Sequence, residues 1–105
     1  MVEIPNRVKE ILDRYLTALK ENNIPINRAI LFGSYANGKF NNWSDIDIAI
    51  VSDIFEGSRI KDRSKIRRIT LSVSCDIEVL PYKTDDFNEE DPFVREIIET
   101  GIKIL

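Results

Sequence analysis

The chain has 105 residues, 43% of them hydrophobic and 31% charged, with a formal net charge of -3; one domain spanning residues 1–105 is expected, and a surface built throughout to neutralise a nucleic-acid backbone is excluded. With one cysteine, Cys75, and no histidine, a disulfide framework, a Cys/His zinc site and a Ser/His/Asp triad are ruled out by inventory, which leaves carboxylates for any metal work. No apolar run approaches the ~20 residues that cross a bilayer, and the N-terminal stretch is charged and amphipathic, unlike a signal peptide, so no membrane contact and a cytoplasmic location are expected.

From Ile4 to Asn22, the residues Val8, Ile11, Leu12, Tyr15, Leu16 and Leu19 recur at three- and four-residue spacing, which predicts a helix with one apolar stripe. Pro5 sits at its start, where a missing donor is harmless. After Asn22, Asn23 and Pro25, the short run Ala29 to Phe32 ends at Gly33 and reads as a buried strand. Tyr35 to Trp43 is a short helix or turn followed by a loop. Asp45 to Val51 alternates with a period of two, a strand with Ile46, Ile48 and Ile50 on one face and both aspartates on the other.

A second long helix is expected from Ser58 to about Ser72, with Ile60, Ile66, Ile69 and Val73 available to the core. Cys75 to Leu80 alternates again, with Cys75, Ile77 and Val79 on one face, Asp76 and Glu78 on the other, and Pro81 as its end. The acidic stretch Thr84 to Asp91 is turn-like. Pro92 to Thr100 is a short helix stopped by Gly101, and Ile102 to Leu105 forms a last edge strand. The expected fold is α+β, a small mixed sheet with helices packed on one face.

The chemistry concentrates in Gly33 and Ser34 after a buried strand, with Asp45 and Asp47 following at short range. Residues two apart on a strand project the same way roughly 6 to 7 Å apart, so these carboxylates can converge on a hard cation. Magnesium suits such an incomplete oxygen cage, which waters and phosphate oxygens complete. Gly33 lets backbone approach a phosphate, and Ser34 adds a hydroxyl donor. A second metal calls for a third carboxylate, for which Asp76 is the natural candidate and Glu78 its rival.

The run Gly33, Ser34, Tyr35, Ala36, Asn37, Gly38, then Ser44, Asp45, Ile46, Asp47 after five residues, resembles the signature of the minimal nucleotidyltransferases, relatives of the DNA polymerase beta superfamily. Asp76 in "CDIEVLPY" and the closing "DPFVREIIETGIKIL" extend the likeness over nearly the whole chain. The resemblance implies the nucleotidyltransferase fold, triphosphate binding at Gly33 and Ser34, and metal binding by Asp45, Asp47 and Asp76, with Asp76 assisting deprotonation of the acceptor. Many members carry arginine where this chain has Asn37; Lys39 is the candidate replacement.

By the same resemblance the chain would move AMP from ATP, with two Mg2+ ions, onto a hydroxyl, a tyrosine of a helical HEPN ribonuclease toxin, as MntA-like antitoxins of toxin–antitoxin modules do. An aminoglycoside-type small-molecule adenylyltransferase and a non-catalytic module that neutralises by occlusion are the alternatives. A grip on duplex nucleic acid is not expected.

Other features have plainer readings. The basic run Arg59, Lys61, Arg63, Lys65, Arg67, Arg68 reads as a solvated helix face, and Asp85, Asp86, Glu89, Glu90, Asp91 as a solvated loop, although their opposite signs suit a protein that docks another. Cys75 is expected to pack as a small apolar residue, and Tyr35 and Trp43 to pack at the rim of the metal motif.

Overall fold

The apolar stripe near the N-terminus becomes helix α1, Asn6–Glu21, which buries Val8, Ile11, Leu12, Tyr15 and Leu19. The Pro5 carbonyl accepts the first amides of the helix, from Val8 and Lys9 at 3.0 and 3.1 Å. The structure, a computed structural model, describes residues 3–105. After α1 come β1 (Arg28–Phe32), the single-turn α2 (Ser34–Asn37), β2 (Ile46–Ser52) and α3 (Arg59–Val73). The remainder is β3 (Ile77–Lys83), a 3-10 turn at Thr84–Asp86, α4 (Pro92–Thr100) and β4 (Ile102–Lys103).

The strands form one mixed sheet in the order β3-β2-β1-β4. β1 runs antiparallel to β2 and β4, whereas β2 and β3 are parallel and joined through α3. Both faces of the sheet are used. Ala29, Leu31, Ile46, Ile48, Ile50, Ile77 and Val79 pack with α1 and α3. Ile30, Ala49, Val51 and Tyr82 pack on the reverse with Phe87 and with Val94 and Ile97 of α4. Each fully buried isoleucine, leucine or valine among these contributes on the order of 1.5–3 kcal/mol. The two long helices thus share one face, whereas the short α4 covers the other, so the expectation of helices on one face alone is corrected for α4.

A hydroxyl pair also joins the two long helices: Tyr15 Oη and Thr70 Oγ1 lie 2.7 Å apart, and Thr70 Oγ1 also donates to the Ile66 carbonyl. Burial pushes the Tyr15 hydroxyl up to about 12 despite that partner. At the start of α3, Ser58 caps the helix through the Lys61 amide. The buried Asp62 accepts from the amides of Glu56 and Gly57 at 2.8 and 3.0 Å, which fixes the loop leading in from β2.

Several expectations need correction. β3 does not end at Pro81 but continues to Lys83; β3 is an edge strand, where a missing donor is tolerated. Ile60 is 80% exposed rather than in the core, because Asp62 and Ile66 are the residues α3 buries near that end. Cys75 is exposed, not packed, since it precedes β3. Trp43 is 87% exposed, while Tyr35 is fully buried and stacks on Phe40 at 4.7 Å, so neither packs at a rim. No helix among the described residues is long and apolar enough to cross a membrane.

Candidate active site

Register brings the acidic residues together. β1 ends with Phe32 opposite Asp47, and Asp47 in turn pairs with Glu78 across the parallel ladder. Asp45 immediately precedes β2 and, by the two-residue period, shares the face of Asp47. Asp76 immediately precedes β3, and its carbonyl accepts the Ile46 amide at 2.8 Å, which places it beside Asp45. Ala49 and Val51 farther along β2 are covered, so this face is open only at its acidic end, where Asp45 is exposed and Asp47 half-buried.

Gly33 turns the chain from β1 into α2 and closes one wall of the site. Its φ is +74° and ψ -149°, a region that only glycine occupies readily. A Cβ there would lie 2.2 Å from Asp47 Oδ2, so the Asp47 carboxylate occupies the space that a side chain at position 33 would need. The amides of Ala36 and Asn37 return to the Gly33 carbonyl, whereas those of Ser34 and Tyr35 belong to the first turn, where amides have no partner within the helix.

The electrostatics of the corner are one-sided. Burial raises the Asp47 carboxyl above its ordinary value, and the charges of Asp45 and Glu78 raise it further. Among the described residues neither Asp45 nor Asp47 forms an ion pair, while Arg7 lies 3.6 Å from Asp76 and Arg63 pairs with Glu78. Two adjacent carboxylates without a counter-ion are a costly arrangement that a bound cation relieves. Oxygen donors of this kind suit magnesium better than a softer metal.

The structure therefore brings Gly33, Asp45 and Asp47 together, with Ser34 on the next residue. Asp76 is adjacent through its backbone, but its carboxylate meets Arg7, and among the described residues no three acidic, histidine or cysteine side chains converge as a metal cage. Lys39 lies exposed on the loop after α2, its amide bonded to the Ser34 carbonyl and to Asn37 Oδ1. A cleft of about 290 Å³ opens beside Gly33 between α2 and α4, lined among others by Phe32, Asn37, Phe93 and Glu96.

Arg7 is the residue that sequence reasoning missed. Its guanidinium joins Asp76 to the Tyr35 hydroxyl, to which Nη2 donates at 3.2 Å, and so links α1, α2 and the start of β3. No local pattern distinguishes Arg7 from the other charged residues on the outside of α1, because its partners are 28 and 69 positions away.

Comparison with known proteins identifies the family and the fold. The nucleotidyltransferase domain family matches residues 12–104. A protein of Methanocaldococcus jannaschii, "Putative protein adenylyltransferase MJ0141", is 32% identical over 107 aligned positions that cover 98% of this chain and 100% of the relative. Two solved structures share the fold. One is a mutant of the toxin-antitoxin MntA-HpeT, with TM-score 0.60, 19% identity, and coverage of 90% of this chain and 71% of that one. The other is a "putative nucleotidyltransferase" from Sulfolobus solfataricus, with TM-score 0.55, 18% identity, and coverage of 98% and 90%. Matched to the family over residues 12–104 and to the M. jannaschii relative over 98% of its length, this chain belongs to the nucleotidyltransferase domain family and is a transferase enzyme.

Proposed function

We propose that the chain transfers AMP from ATP to a protein hydroxyl, a tyrosine of a helical HEPN-type toxin, and thereby acts as that toxin's antitoxin in the cytoplasm. The observation that carries this reading is the pair Asp45 and Asp47, without a counter-ion among the described residues, with Asp47 pressed against Gly33. The name of the M. jannaschii relative supports protein as the acceptor, and the fold shared with a toxin–antitoxin structure supports the partner.

In this reading Gly33 and the first amides of α2 cradle the triphosphate, Ser34 donates its hydroxyl to a phosphate oxygen, and Lys39 swings in from its loop. Magnesium, two ions in the full arrangement, would be held by Asp45 and Asp47 with Asp76 and would supply neutralising charge for the phosphates. The acceptor oxygen bonds to the α-phosphorus as the bond to pyrophosphate breaks, in line. Asp76 takes the hydroxyl proton after exchanging Arg7 for the acceptor. The cleft between α2 and α4 offers the nucleoside a wall.

The test is the intact mass of a co-expressed helical toxin, which gains one or more AMP groups with the wild-type chain and none with Asp47→Asn. An unmodified toxin in the presence of ATP and magnesium overturns the proposal. A second reading, neutralisation by binding alone, draws on the arginines that occupy both Asp76 and Glu78. It requires Asp47→Asn to neutralise the toxin fully.

A further inference from the structure

The outer side of α3 carries a feature that the catalytic chemistry does not use. Ile60, Ser64, Arg67 and Leu71 follow one another at three- and four-residue spacing, which aligns them on one stripe about 16 Å long at 1.5 Å per residue. Ile60 is 80% and Leu71 56% exposed, two of the five large apolar side chains that the described residues leave in solvent. The stripe forms one wall of a cleft of about 440 Å³ whose other wall is edge strand β3, with Val79 as part of its lining and Cys75 at one end.

The charge of this cleft is positive. Arg63 and Arg67 line it, and Arg67 makes no ion pair among the described residues. Lys61 and Arg68 lie exposed on the same helix. The one acidic side chain in the lining, Glu78, is held by Arg63, and it is also the register partner of Asp47. Glu78 on the edge strand thus stands between the cleft and the acidic corner.

We propose that this cleft docks the acceptor protein by taking an acidic amphipathic helix, whose apolar side chains sit between Ile60 and Leu71 and whose carboxylates meet Arg67 and Arg63. The proposal deepens the function above, on which it rests for the identity of the docked protein as the acceptor. Charge selects the occupant. Two copies of this chain placed stripe to stripe would oppose like charges, and a nucleic acid would leave Ile60 and Leu71 without apolar partners. A helix fits better than an added strand, since Pro81 removes a donor from β3.

The probe is a fluorescein-labelled helical peptide with leucines at three- and four-residue spacing flanked by glutamates, compared with its lysine counterpart and with single-stranded RNA. Fluorescence anisotropy is expected to show the glutamate peptide binding at least tenfold tighter than the lysine peptide. Arg67→Glu and the pair Ile60→Ser with Leu71→Ser should each weaken it about tenfold, while Asp47→Asn leaves it unchanged. The thermal shift given by ATP and magnesium should survive in the cleft variants, which shows that they fold. Equal binding of the two peptides, preference for RNA, insensitivity to the cleft substitutions, or a dimer in sedimentation that Leu71→Ser dissolves would each overturn the proposal. Peptide binding retained in a chain that transfers no AMP overturns the function alone and leaves the docking surface standing.

Discussion

Replacing Gly33 with alanine tests the construction of the site at its tightest point. The backbone there is in a glycine-only region, φ +74° and ψ -149°, so any side chain adds of the order of 1–3 kcal/mol of strain. The new methyl would also stand 2.2 Å from Asp47 Oδ2 and 3.1 Å from its Cγ. Carbon and oxygen that are not bonded come no nearer than about 3.3 Å, so the carboxylate must retreat by roughly 1 Å. A half-buried aspartate at the end of a strand can make that move, and the fold should survive. Strain alone lowers the melting temperature by roughly 5–20 °C for a domain of this size, and a displacement of about 1 Å at a catalytic group lowers transfer about 10²-fold. Thermal unfolding and the rate of AMP transfer measure the two effects separately. In an Asp47→Ala background the collision with the carboxylate is gone and only a 3.3 Å approach to Cβ remains, so Gly33→Ala should there destabilise by little more than the strain, and the difference in a double-mutant cycle isolates the carboxylate contact. Transfer within about threefold of wild type, or an absence of coupling in the cycle, would refute the packing of Asp47 on Gly33.

Because burial and then Asp45 and Glu78 raise the Asp47 carboxyl, the folded state binds a proton more tightly there than the unfolded chain. Stability without metal should therefore fall as pH rises through the carboxylate range, and Asp47→Asn should flatten that slope in urea titrations while abolishing transfer. Tyr15, raised from 10.0 to about 12, contributes stability that is fully present below pH 10 and lost as pH approaches 12, worth roughly 3 kcal/mol. Tyr15→Phe should remove this alkaline loss at the expense of about 1 kcal/mol near neutrality, and an unchanged alkaline profile would contradict it. Asp62→Ala leaves the Glu56 and Gly57 amides without their acceptor, so denaturant unfolding should show a loss of about 2–3 kcal/mol.

How much of this was readable beforehand depended on whether a residue's role is set by its neighbours in sequence. The alternation through Ile46, Ile48 and Ile50 sorted β2 into a core face and a carboxylate face, and the pairing of β1 with β2 then needed only Gly33 to follow the strand. Asp91, Pro92 and Gly101 delimited α4 for the same local reasons, with the Asp91 carboxylate receiving the Phe93 amide. The roles of Arg7 and Asp62 depend on contacts that no local spacing encodes. Arg7 reaches Asp76 only because α1 lies across the start of β3, and Asp62 is buried by a loop that its own carboxylate organises. Spacing alone cannot place Ile60, because α3 has apolar residues on two sides, one row facing the sheet and one facing the cleft beside β3. Pro81 looks like a strand end in sequence because an edge position follows only from the strand order.

The most direct measurement incubates the chain and its helical toxin with magnesium and ATP labelled either at the α-phosphorus or at the γ-phosphorus. The α label should become covalently attached to the toxin, the γ label should leave as pyrophosphate, and both changes should vanish in Asp45→Asn and Asp47→Asn. Label that reaches the toxin from the γ position, or α label transferred equally well by the aspartate variants, would contradict the account.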